Sequence, residues 1–180
     1  MLRREPDHYG GTEMVLLRLA PAPGSHADKN AGRQWSDELV PLRLEANTLR
    51  DIGRVAQARR LLLRLIEQDP RCLDAHAHLG NLEFAKDAET ALAHYATGVT
   101  IGWRALGRAF DGVLPWGLID NRPFLRCLQG YGLCLWRLAR FDEAEQAFEQ
   151  LLWLNPTDNL GIRFLLQPVS RREKWRDDIV

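Results

Sequence analysis

His76 and His78 are the residues that most invite a chemical reading, because imidazole is a common metal ligand. Two places apart on a helix, they do not share a face. His94 belongs to a later helical stretch, and no third ligand stands at a spacing that would complete a zinc site of three or four ligands. No metal and no cofactor is therefore expected. Glu83, Asp87 and Glu89 concentrate acid locally, which is the ordinary composition of a helix surface. The chain has no phosphate-cradling Gly-rich loop, no nucleophile elbow and no zinc-protease motif. The expectation is a protein that is not an enzyme and has no catalytic residue.

Cys72, Cys127 and Cys134 are an odd set, so a fully paired disulfide framework is excluded. Cys127 and Cys134 share roughly one helix face, but at ~1.5 Å rise per residue their Cα atoms lie about 10 Å apart, too far to bridge. Buried free thiols and a reducing cytoplasm are the expectation. No apolar run reaches the ~18 residues of a membrane span, and Arg18 interrupts the run from Met14 to Ala20. The 24 basic residues balance 24 acidic ones, which argues against a nucleic-acid partner.

The elements that carry these residues repeat. Leu42, Ala46, Leu49, Ala58, Leu62, Leu65 and Pro70 are followed 86 residues later by Leu128, Gly132, Leu135, Ala144, Phe148, Leu151 and Pro156. Between them lie Leu79-Gly80, Ala91, Tyr95 and Gly98, with Gly80 34 residues after Ala46 and 52 (34 plus 18) before Gly132. Small residues at 46, 80 and 132, and at 58, 91 and 144, let paired helices approach closely. Leu62, Tyr95 and Phe148 fill the space between them. Pro70 and Pro156 follow helix ends. A helical hairpin cannot bury its apolar face alone, so such units must stack.

A 34-residue period with Leu128-x2-Tyr131-Gly132-x2-Leu135, Ala144-x3-Phe148 and Pro156 resembles the tetratricopeptide repeat. The resemblance covers about residues 39–167. From Leu114-Pro-Trp-Gly through Asn121-Arg-Pro-Phe-Leu to Asp158-Asn159-x-Gly161, the chain also looks like a bacterial family of short tetratricopeptide proteins of unassigned function. It is distantly similar to the suppressor-of-tumorigenicity class of repeat proteins. The fold this implies is an all-α, right-handed solenoid of about three helix pairs. Its units lie at about 39–72, 73–102 and 125–158, with an insert at 103–124 and a capping helix at 158–167 that Pro168 ends. Residues 1–34 read as a loop-rich, partly disordered segment, mobile over 20–34, with a short strand or helix somewhere in 12–20. Pro41 places the first helix start nearer residue 40 than 37. Asn121 reads as a helix cap, Asp142 with Glu145 as a capping box, and Asp87 as an N-cap. Ala139 stands where a glycine is expected between two helices. Residues 169–180 read as a charged, frayed tail in which Trp175 can dock.

The resemblance implies a concave groove lined by the first helix of each unit. Its peptide-holding positions map to Arg43, Asn47 and Arg50, then Asp74, His78 and Asn81, then Arg126, Gln129 and Arg137. Asn47 and Asn81 are equivalent, and an Asn can pair with a peptide backbone through both donor and acceptor. With Arg43, Arg50 and Arg126 available to a carboxylate, this resembles part of a carboxylate clamp, although Leu133 stands where a third Asn would be. Trp116, Leu118, Ile119 and Phe124 of the insert form either a packed plug or an apolar contact for a partner. The implied function is protein–protein interaction, as an adaptor or assembly factor for a protein or peptide, with a homo-oligomer through end faces also open. The alternatives are an RNA-binding helical repeat and an accessory subunit of an enzyme complex.

Overall fold

Ala58, Leu62 and Leu65 recur at helical spacing and are buried, and Ala144, Phe148 and Leu151 repeat the pattern 86 residues on. The computed structural model describes residues 3–5, 14–17 and 34–177. Among these are three antiparallel helix pairs. They are α1 (Gln34–Asp51) with α2 (Val55–Gln68), α3 (Leu73–Phe84) with α4 (Ala88–Leu106), and α5 (Arg122–Arg137) with α6 (Phe141–Leu154). A last helix, α7 (Ile162–Ser170), packs on α6. A short antiparallel ribbon joins β1 (Arg3–Glu5) to β2 (Met14–Leu16), so a strand occupies part of the 12–20 segment. Of the segment expected to be mobile, 20–34, residues 20–33 lie outside the described residues and Gln34 opens α1. The architecture is an all-α helical repeat.

The first and third pairs copy one another down to their turns. Arg54 N–H donates to the Leu49 carbonyl at 2.7 Å and Gly53 N–H to Arg50 at 2.9 Å. Their counterparts are Arg140 to Leu135 at 2.8 Å and Ala139 to Trp136 at 2.9 Å. This paired closure requires a left-handed residue after the helix. Gly53 supplies it at φ 79°, and Ala139 adopts it at φ 58° in spite of its Cβ. In the middle pair the stretch from Gly80 to Ala91 is one residue shorter than its counterparts. There Asp87 caps α4, accepting from the N–H groups of Glu89 and Thr90 at 3.0 and 3.1 Å.

Helix contacts are set by glycine against rings. A Cβ on Gly132 would lie 2.5 Å from the Phe148 ring, and one on Gly80 equally close to Tyr95. Gly130 of α5 meets the other side of the same Tyr95, and Gly98 and Gly102 of α4 admit Cys127 and Phe124. Ala46, Leu62, Leu65, Ala75 and Leu79 form a small core for the first pair. A larger one joins α5, α6, α7 and the insert around Phe124, Leu125, Trp136 and Phe148.

Several local expectations are corrected. Helix α1 starts at Gln34 and carries Pro41 inside it, since packing against α2 outweighs the single main-chain bond that proline forfeits. Pro168 likewise lies inside α7. Its absent N–H would have met the carbonyl of Phe164, a residue 84% exposed, where water can substitute. The helix stops instead at Arg172, left-handed at φ 56°, with Glu173 N–H bonded to the Pro168 carbonyl at 2.9 Å. Asp142 and Glu145 form no capping box. They accept from Arg172 and Ser170 and so tie α6 to the C-terminal segment. That segment is docked at Glu173 and Trp175. Trp175 packs edge-on against Trp136 and Phe84 at 5.2 and 5.6 Å, and Trp136 Nε1 donates to the Glu173 carbonyl at 2.7 Å. Cys127 and Cys134 are buried free thiols, whereas Cys72 is only half-buried.

Two substitutions test these turns and contacts. Gly132→Ala is expected to cost about 1–3 kcal/mol in urea unfolding, the overpacking penalty exceeding alanine's helix preference, with partial recovery when Phe148→Leu is added. Ala139→Gly is expected to raise stability by about 0.5–1 kcal/mol, because glycine adopts the left-handed turn without strain.

Candidate functional site

The insert begins where Gly107, at φ 87°, ends α4, and it returns to the third pair through Leu114, whose N–H donates to the Leu154 carbonyl at 2.6 Å. Val113 and Leu114 are buried and anchor it. A 3-10 turn over Ile119–Asn121 then leads into α5, with Pro123 in its first turn. Phe124 is fully buried against Gly102 and lies edge-on to Trp103 at 5.6 Å. It is therefore core and not a contact for a partner. Leu118 is half-buried, and Ile119 is 66% exposed.

Half-buried Trp116 joins this insert to α5. The Arg122 guanidinium lies 5.1 Å from the Trp116 ring centroid and that of Arg126 lies 5.5 Å away, both within cation–π range. Arg122 Nε also donates to the Trp116 carbonyl at 2.9 Å, and Trp116 N–H donates to Asn155 Oδ1 at 3.3 Å. On α3, the carboxylate of buried Asp74 lies 3.6 Å from Arg126 Nη1 and 3.8 Å from His78 Nε2. Asp74 and Arg126 are equivalent positions, 52 residues apart, facing one another across α3 and α5. Candidates from the groove and from the insert thus meet in one cluster. Arg122, which the sequence reading did not single out, completes it.

The other candidates separate. Asn81 is exposed on α3, and its Oδ1 accepts the Tyr95 hydroxyl at 2.6 Å. Asn47 is half-buried on α1. The Arg43 side chain lies outside the described residues. Arg50 pairs with its neighbour Asp51 at 2.8 Å. Gln129 donates to the Leu160 carbonyl at 3.4 Å. Arg137 donates to the carbonyls of Phe84 and Ala85 and lies 5.4 Å from the Phe84 ring centroid, closing the end of α3. Gln129 and Arg137 thus spend their donors on main-chain carbonyls within the fold. The repeat register explains it. Counting 52 residues from His78 and Asn81 reaches Gly130 and Leu133, both buried, so Gln129 and Arg137 stand on other faces of α5.

His76 and His94 bring α3 and α4 together with ring centroids 6.2 Å apart, and His76 Nε2 is 2.9 Å from the Pro70 carbonyl. Among the described residues, no group of three or more His, Cys, Asp or Glu could hold a metal ion. No helix among them is long and apolar enough to cross a membrane.

Residues 43–105 match the family model of the tetratricopeptide repeat. Over those residues the chain is similar to the tetratricopeptide repeat. Its tetratricopeptide fold is similar to a solved structure, the first TPR of Spaghetti (RPAP3) bound to HSP90 peptide SRMEEVD. That match has a TM-score of 0.58 and 18% identity, and covers 76% of this chain and 93% of the other. At that identity the likeness is one of fold. No curated protein matches the chain significantly. The tetratricopeptide fold is a general protein-interaction module.

Burial, then the neighbouring charges of His76 and Arg59, hold the His94 imidazole below its usual pKa, with Glu83 acting weakly the other way. The folded state therefore resists protonation that the unfolded chain accepts. Stability is expected to be full above the unfolded value of about 6.5 and to decline as pH falls below it. Melting temperatures between pH 7.5 and 5.5 check this, and His94→Gln should flatten the slope.

Proposed function

We propose that the concave face is a docking surface for an extended segment of a partner protein and that the chain acts as a non-catalytic adaptor or assembly factor. The observation that carries this reading is Asn81. It is exposed on α3, yet its acceptor oxygen is held by the Tyr95 hydroxyl. The amide nitrogen is then the group directed to a partner's carbonyl. A donor fixed in advance by the core loses little entropy on binding. Asn47, one repeat earlier, offers the same chemistry, and Arg126 with His78 supplies charge and further donors beside Trp116.

The arrangement favours main-chain recognition over a carboxylate clamp. The similar Spaghetti domain is bound to SRMEEVD, a peptide with three acidic residues. Here the Arg126 charge is opposed by Asp74, and Arg50 already faces Asp51. A carboxylate guest would meet a carboxylate host. Free thiols at Cys127 and Cys134 suit a reducing cytoplasm, and burial pushes the Cys134 thiol up to about 12.

Partner capture from the source lysate tests the groove, comparing wild type with Arg43→Ala/Asn47→Ala/Arg126→Ala and with Asn81→Ala, each checked for folding by thermal melting. A groove-bound partner should be retained at least about tenfold less by the folded variants, corresponding to ~1.4 kcal/mol or more. Equal recovery of the same partners would remove the groove from the account.

A further inference from the structure

Leu17 is the residue that the repeat architecture leaves unexplained. It is 2% exposed and belongs to the apolar cluster that contains Leu114 and Phe124. Its backbone N–H donates to Asn121 Oδ1 at 2.7 Å across a sequence separation of 104 residues. Asn121 Nδ2 in turn donates to the Pro115 carbonyl at 3.2 Å. Asn121 sits at the cap position of α5 but makes no capping bond, contrary to the role its sequence position suggests. It is fully buried, and a buried amide is tolerated only where both of its ends find partners. One of those partners is the end of β2.

Among the described residues, residues 14–16 pair with residues 3–5, and a two-stranded ribbon is marginally stable by itself. Holding Leu17 against Asn121 closes a long loop at an entropic cost. Helices α3, α4, α5 and α6 also contact one another directly. The insert thus offers a built site: an apolar recess beside Leu114 and Phe124, and one buried acceptor, Asn121 Oδ1, for a backbone N–H. These are the two features by which a site recognises an extended chain.

We propose that the insert around Leu114, Pro115, Asn121 and Phe124 is a docking site for an extended protein segment, and that residues 14–17 occupy it in cis. A partner segment takes the site by offering a leucine-sized apolar side chain together with the backbone N–H of the same residue. The N-terminal strand is then an internal competitor that sets the threshold for partner entry. This site is separate from the concave face and does not rest on the groove reading.

Full-length protein and a fluorescein-labelled synthetic peptide of residues 11–20 test the proposal by anisotropy. Leu17→Asp, which empties the recess, should bind the peptide at least tenfold more tightly than wild type. Adding Asn121→Ala should abolish that gain. Hydrogen exchange of the unaltered protein provides a readout independent of mutation. The Leu17 amide should exchange at least a hundredfold faster than the amides of Leu125 and Leu135 in α5, through local opening. A folded Leu17→Asp protein that fails to bind the peptide would overturn the proposal, as would binding that persists with Asn121→Ala. A Leu17 amide as slow as those of α5 would make the strand a permanent part of the core and also overturn it. A dimeric mass for wild type in light scattering, lost in Leu17→Asp, would replace the cis occupant with a second copy's strand and overturn the competitor role.

Discussion

Tyr95 stands between two glycines, Gly80 on α3 and Gly130 on α5, and the spacing of three helices depends on that wedge. Neither glycine has room for a Cβ, so neither helix can move toward the ring, and close packing leaves neither a reason to move away. Burial raises the Tyr95 phenol far above its usual pKa, so it remains a neutral donor, and its hydroxyl reaches Asn81 at the surface. A single side chain thereby sets the helix separation and orients the exposed Asn81 amide on α3. The core and the proposed groove are mechanically one object at this point.

The insert plays a comparable role at the other end. It replaces a short inter-repeat turn with a segment that bonds to α6 and its C-cap through Leu114 and Asn155, to α5 through Arg122, and to the end of the N-terminal strand through Asn121. The third pair copies the first in its helices, turns and cap positions, yet Asp69 and Asn155 diverge at one equivalent place. Asp69 bonds locally to the Arg71 N–H, whereas Asn155 accepts the Trp116 N–H of the insert. Both side chains are buried, and at 155 the acceptor serves the insert. The departure from the repeat is thus written into the position that supports it.

The repeat itself was legible in the sequence because helix pairing imposes a strict spacing of small and large residues. Gly132 with Phe148 and Gly80 with Tyr95 could be paired on paper, and the fold sets them in contact. Proline did not mark the helix boundaries. Pro41 and Pro168 looked like boundaries, but each forfeits only one donor, and neighbouring helices or solvent absorb that loss. Ala139 raised the question of its turn, and the paired main-chain bonds of that turn carry it into the left-handed region.

By itself the sequence determined the period, the three helix pairs, the small-against-large contacts and the lack of any recognisable catalytic motif. All of these follow from local periodicity and from residue types at fixed separations. Tertiary structure alone decided which polar candidates turn toward the interior. Arg137 and Gln129 close helix ends and loops, Phe124 becomes core, and Asp74 is set opposite Arg126 with Trp116 beside it. It alone brought Leu17 to Asn121, 104 positions away. A hydrogen bond or ion pair depends on where a side chain's end atoms lie in space. An 18-residue insertion and a strand preceding all the helices shift those atoms in ways that no local pattern records.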